Sequence, residues 1–179
     1  MLERFLASLG LLFAKFQFRS DIDTPQPLTQ FFRNARSVLI TLPVGYDEAI
    51  IAGDALRAFR DQLSHLHFTV VTNSTRATSL SYFQKCEIIR IDPQDVNRLS
   101  LPTTSLLHRV ITRQYDVAID LNLDFVLHTA YICKASRAKV RVGFAHDVSD
   151  VFFNVQFLLN MQRTPRVLYE KFAACLAMF

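Results

Sequence analysis

The stretch Ser37–Phe59, SVLITLPVGYDEAIIAGDALRAF, decides the fold. Val38, Leu39 and Ile40 form an apolar, partly β-branched run that reads as a strand over Ser37–Leu42. Pro43 and Gly45 then turn the chain. Asp47 and Glu48 open a helix expected over Asp47–Leu63, with Ile50, Ile51, Ala55, Leu56 and Phe59 facing inward. An apolar strand, a tight turn and an amphipathic helix make the first unit of a parallel sheet.

The alternation continues outward from this unit. Further strands are expected over Phe68–Thr72, Glu87–Ile91, Tyr115–Leu121, Lys139–Gly143 and Phe152–Leu159. Helices are expected over Thr75–Phe83, Thr103–Arg113, Phe125–Ser136 and Arg166–Met178, the second opened by the Thr103 or Thr104 hydroxyl as a cap. Strands and helices in this order predict an α/β fold, a doubly wound, mostly parallel sheet covered on both faces in the Rossmann-like manner. The sequence shows neither an internal repeat nor a low-complexity segment.

With 179 residues, the chain suits one compact domain able to bury roughly 70% of the surface it would expose unfolded. Hydrophobic residues make up 50% and charged residues 20%, which excludes a disordered tail. The net charge of +4 is scattered, and no Lys/Arg cluster interleaved with aromatics argues for nucleic acid. Cys86, Cys133 and Cys175 lie far apart among apolar neighbours and read as reduced, buried small hydrophobes in a cytosolic setting. His65 and His67 form a pair before a strand that reads as solvated, and His108, His128 and His146 are isolated, so no metal site is expected.

Residues 1–20 form a separate element. Leu2, Phe5, Leu6, Leu9, Leu12, Phe13 and Phe16 recur at helical spacing, with Glu3, Arg4, Ser8 and Lys15 elsewhere on the wheel. The uncharged stretch between Arg4 and Lys15 holds ten residues, against the ~20 a bilayer crossing needs, and Glu3 spoils a secretory leader. Three fates compete for the Leu/Phe face: packing on the domain's own sheet, insertion into a membrane interface, and docking in a partner's groove. Residues 21–34, polar and with two prolines, read as a linker, which leaves 35–179 as a single Rossmann-like domain.

Three blocks of this chain resemble the N-terminal, acceptor-side half of family 9 glycosyltransferases, the bacterial heptosyltransferase-like enzymes of GT-B architecture. The resemblance covers about Arg36 to Phe179. The opening run is similar to the family's first strand, loop and helix, with Asp54-Ala55-Leu56-Arg57-Ala58-Phe59 matching a Pro-Ala-Leu-Arg-Ala-Leu run except at Asp54. The block YDVAIDLNLDFVLHTAYICKASRAKVRVGFAH matches at Tyr115, Asp116, Asp120, Leu121, Ala138, Lys139, Arg141, Gly143 and Phe144. The third block, VFFNVQF with the helix from Pro165, resembles the late strand and closing helix.

In that family a Gly-Asp pair at the start of the first helix supplies a general base, and the resemblance places Glu48 at the Asp and Asp47 at the Gly. The donor nucleotide-sugar sits in the family's C-terminal domain on glycine-rich loops, whereas this chain has four glycines, at 10, 45, 53 and 143. No catalytic residue or cofactor is therefore expected, with Glu48 and Asp47 as vestigial or alternative catalytic groups. The expected role is a non-catalytic structural or adaptor subunit, peripheral on the cytoplasmic side of a bacterial inner membrane. Its partners are protein components of a membrane-associated complex, with Leu2, Phe5, Leu6, Leu9, Leu12, Phe13 and Phe16 as the membrane- or partner-binding face. The alternative is an acceptor-binding half that works with a separate donor-binding chain on a lipid-linked glycan, with Glu48 as base and Lys139 or Arg141 holding acidic groups of the acceptor.

Overall fold

A computed structural model of the chain describes residues 2–24, 34–62, 65–73, 86–158 and 163–176. The elements are α1 (Leu2–Phe18), β1 (Ser37–Thr41), α2 (Tyr46–Gln62), β2 (His67–Asn73), β3 (Glu87–Ile91), α3 (Thr104–Ile111), β4 (Val117–Asp120), α4 (Leu127–Ala135), β5 (Val140–Phe144), β6 (Val155–Phe157) and α5 (Pro165–Leu176). The six strands form one sheet in the order β3-β2-β1-β4-β5-β6, and every pairing is parallel. Register is set at β1, where Val38 pairs with Phe68 on one side and Val117 on the other.

Period-two alternation along the strands divides the core into two layers. Val38 and Ile40 of β1, Val117 and Ile119 of β4, and Val140, Val142 and Phe144 of β5 point to one face. There they pack with Ala52 of α2 and with Tyr169, Phe172 and Leu176 of α5. Leu39, Val71 and Ala118 point to the other face and meet Leu106 and Val110 of α3, Ala130 and Ile132 of α4, and Ala14 of α1. The strands are buried on both sides, which is why they read as unbroken apolar runs.

Several expectations are corrected. Ile50 is outward, 46% exposed, while Ala49 and Ala52 take the buried positions of α2; Leu56 and Phe59 fall among side chains outside the described residues, as does the helix expected over Thr75–Phe83. The expected strand Phe152–Leu159 is mostly loop. A 3-10 turn over Ser149–Val151 delivers Phe152 and Phe153 into the core, and β6 keeps only Val155–Phe157. Gly143 makes room for this, because a Cβ there would lie 2.7 Å from the Phe153 ring. Thr103 caps α3, accepting from the Leu106 amide at 3.4 Å. Cys133 is fully buried, whereas Cys86 and Cys175 are half-buried, and none of the three forms a disulfide.

The linker expected from residue 21 begins instead as a tethered strap. Asp23 pairs with Arg141, and Lys134 lies 3.6 Å from Asp23 and 3.9 Å from Asp21. Both cationic side chains are almost fully buried.

Candidate functional site

In a doubly wound sheet, ligands bind beyond the carboxyl ends of the strands where strand order reverses. Here the reversal falls between β1 and β4. Two loops meet there: residues 42–45 after β1, and residues 121–126 after β4. Asn122 joins them. Its Oδ1 accepts from the Val44 amide at 2.9 Å, and its Nδ2 donates to Asp120 Oδ1 at 2.6 Å.

Asp120 anchors this junction from below. The Thr41 hydroxyl donates to its Oδ1 at 3.0 Å, the Asn122 amide reaches the same oxygen at 3.1 Å, and Thr129 Oγ1 stands 2.9 Å from Oδ2. Burial pushes the Asp120 carboxyl up, and the hydrogen bonds from Asn122, Thr129 and Thr41 offset only part of that cost. Four polar side chains from β1, β4, the following loop and α4 thus fix the crevice floor.

Glu48 stands in the first turn of α2, above this floor. Its carboxylate folds back on the loop, so that a Cβ on Gly45 would lie 3.3 Å from Glu48 Oε2. Partial burial, then the charge of Asp124, raises the Glu48 carboxyl above its ordinary value. Asp47, beside it, is exposed. Tyr169 of α5 closes the floor by donating to the Leu121 carbonyl at 2.7 Å. Burial, followed by the charges of Glu48, Asp120 and Asp124, drives its hydroxyl far above the usual tyrosine value. The crevice is therefore lined by carboxylates, suited to accept a proton from a hydroxyl and poorly suited to hold an anion.

Lys139 and Arg141 do not join Glu48. They lie toward the opposite, amino end of the sheet, Arg141 level with Ala118 and Lys139 just before β5. With Arg113, Lys134, Asp21 and Asp23 they line a separate open basin of about 1130 Å³. Arg141 is committed there, donating from Nε to the Phe152 carbonyl and from a terminal nitrogen to Ala138, each at 2.8 Å, besides pairing with Asp23.

The histidines also stay apart. His65 and His67 are exposed, burial lowers His128 to about 4, and His146 packs its ring edge-on to Phe125. Among the described residues no three His, Cys, Asp or Glu side chains gather into a metal-binding group.

The second candidate surface is α1, and the Leu/Phe face does not pack on the sheet. Leu2, Phe5, Leu9, Leu12, Phe13 and Phe16 are exposed, with relative exposures from 41% at Leu9 to 70% at Leu2, and Leu6 is half-buried at the margin. The helix docks by its small face instead. Gly10 and Ala14 are buried, and a Cβ on Gly10 would fall 2.0 Å from the Leu99 carbonyl oxygen. Gln17 accepts from the Tyr131 hydroxyl at 2.7 Å, and the Phe18 ring meets those of Tyr131 and Phe152. No described helix is long and apolar enough to cross a membrane.

Sequence reasoning reached Glu48, Asp47 and the α1 face but assigned no role to Asn122, Asp124, Thr41 or Thr129. Asp120 at the end of an otherwise apolar strand was the available signal, since a carboxylate there must find partners or be paid for in desolvation. The small pair Gly10 and Ala14, four residues apart, was the corresponding signal for the docking side of α1.

No protein-family model and no curated protein sequence matches the chain. Solved structures do. A family 9 glycosyltransferase from Veillonella parvula DSM 2008 aligns with a TM-score of 0.65 and 19% identity over 80% of this chain and 42% of its own. The E. coli heptosyltransferase WaaC, solved with ADP, aligns with a TM-score of 0.60 and 14% identity over 78% and 46%. E. coli ADP-heptose LPS heptosyltransferase II gives 0.60 and 15% over 76% and 40%. The likeness is one of fold: this chain has the Rossmann-like fold of one part of such enzymes and spans less than half their length.

Proposed function

We propose that this chain is a non-catalytic, glycosyltransferase-derived structural subunit, an adaptor held peripherally at the cytoplasmic side of a bacterial inner membrane within a protein complex. The observation that carries the proposal is the orientation of α1. Its small face is locked to the domain while six large apolar side chains point away from it. A monomeric soluble surface rarely keeps so continuous an apolar face uncovered. Three cysteines that form no disulfide accord with a reducing compartment.

The crevice supports only that this chain would not transfer a sugar by itself. A sugar transferase must neutralise a leaving diphosphate, and cationic or backbone donors do that work. The groups gathered at the switch point are carboxylates, and the buried cations Lys134 and Arg141 serve the strap at the other end of the sheet.

One observation favours the second reading, an acceptor-binding half of a two-chain glycosyltransferase. Glu48 is a carboxylate made more basic by its surroundings, at the switch-point crevice, as a general base would be. Glu48→Gln separates the two. On the adaptor reading, cells carrying the variant assemble the same complex and keep its function. Normal assembly with lost function would sink the adaptor reading in favour of the enzymatic one.

A further inference from the structure

We propose that the outward face of α1 seats in the interfacial layer of an anionic lipid bilayer, with its Leu and Phe side chains below the phosphate level and Arg4, Lys15 and Arg19 at that level. This deepens the reading of α1 as the attachment face and rests on it.

The wheel of α1 divides into three sectors at ~100° per residue. One sector holds Gly10, Ala14 and Phe18, which are turned into the domain. The opposite sector holds Leu2, Phe5, Leu9, Leu12, Phe13 and Phe16. Arg4 and Lys15 fall on the same flank between these two, Arg19 just past the helix end lies over Phe16 at the edge of the stripe, and all three are exposed. The other flank holds Leu6 and Gln17, and the sole carboxylate of the helix, Glu3, lies toward the docked side. Three cations along one margin of an apolar stripe, with no acid on its outer half, match a surface of uniform negative charge. A protein groove would call for charges placed one by one against its own residues.

Side-chain geometry supports the same occupant. The Arg19 guanidinium lies 4.1 Å above the Phe16 ring centroid, an arrangement in which the phenyl can enter the apolar layer while the cation remains with the phosphates. The helix is 17 residues, about 25 Å long, and lies with its docked face on the domain, so it can present its stripe only side-on, parallel to a surface. If each of the six side chains carries about 150–200 Å² in full, the exposed apolar area is on the order of 600 Å², at the upper end of what monomer surfaces display. Apolar burial and a basic margin supply the two signals that stable peripheral attachment requires.

The test is flotation of the full chain with vesicles of phosphatidylcholine alone and with vesicles containing about one third phosphatidylglycerol, alongside sedimentation with membranes of the source cells. Three forms are compared: the wild type, Arg4→Gln/Lys15→Gln/Arg19→Gln, and Leu9→Ser/Phe13→Ser. All substituted side chains are exposed, and circular dichroism confirms that each form is folded. The expected result is flotation of the wild type with anionic vesicles, weakened about tenfold or more by the charge variant or by raised salt and abolished by the apolar variant. A wild type that ignores both vesicles yet sediments with cell membranes, and is released by the apolar variant, overturns the lipid assignment and leaves a protein groove as the occupant. If neither variant changes sedimentation with cell membranes, the attachment reading itself is overturned.

Discussion

At Glu48 two electrostatic effects oppose each other. A carboxylate in the first turn of a helix is favoured by the backbone amides and the helix dipole. Here burial and the neighbouring charge of Asp124 outweigh that gain, and the carboxyl is raised. A group whose folded value lies above its unfolded one costs stability once it ionises, above about pH 4, and costs nothing below. Glu48→Gln is therefore expected to raise the melting temperature at pH 7 by about 1–2 °C, with the difference closing as the pH falls through 4 in thermal scans. A melting temperature lowered at pH 7 would mean that the carboxylate serves the helix as a simple N-terminal charge. Asn122, beneath it, acts the other way: its side chain satisfies both Asp120 and the Val44 amide, so Asn122→Ala should cost about 1–2 kcal/mol in chemical denaturation by orphaning buried groups.

At the scale of elements, the strap after α1 is held by charge. Burial alone would raise the Asp23 carboxyl, but the hydrogen bond and charge of Arg141, joined by Lys134, outweigh it and hold the group below its ordinary range. Such a carboxylate lends stability that is complete above its unfolded value, near 4, and that disappears as the pH falls through the lower folded value. Asp23→Asn should weaken the chain at neutral pH by about 1–2 kcal/mol, less than a fully buried pair would lose because Asp23 remains 37% exposed. Wild type and variant should converge in acid, where hydrogen exchange at the α1 amides would report loosening of the helix; a constant difference across the titration would assign the effect to shape and not to charge.

The same element shows what was legible in the sequence. Apolar runs such as Ser37–Leu42 announce buried parallel strands because both of their faces are covered, so the sheet and its helices could be read directly. Phe152 and Phe153 misled because a buried aromatic pair looks alike in a strand and in a loop that plugs a core. In α2 the large Ile50 reads as inward, yet the small Ala49 and Ala52 take the buried positions. For α1 the reversal was greater: hydrophobicity favours the Leu/Phe stripe as the packed side, and only the demand of the Leu99 carbonyl for a Cβ-free neighbour selects Gly10. The crevice was half legible, since Glu48 lies in a motif, whereas the Asn122 and Asp120 pairing depends on two loops meeting in space.

For the molecule as a whole, the two-layer core decides whether α1 is a detachable tail. The layer on the α4 side includes Ala14, with no exposed surface, and packs Leu11 and Phe18 against the same cluster. Leu127, Tyr131 and Phe152 in that cluster lie beneath the helix or its C-terminal end. Removing residues 1–20 therefore uncovers part of the domain's own core as well as removing the outward stripe. At about 25 cal/mol per Å², a few apolar side chains left open cost on the order of 3 kcal/mol, which in a chain of this size lowers the melting temperature by about 5–10 °C. Calorimetry of the truncated chain is expected to show that loss, together with new binding of a hydrophobic dye. Leu9→Ser/Phe13→Ser, which touches only the outward face, should leave the melting temperature unchanged while abolishing membrane attachment. An unchanged melting temperature on truncation would instead make α1 an independent tail and remove the rigid, side-on presentation on which its seating at a lipid surface depends.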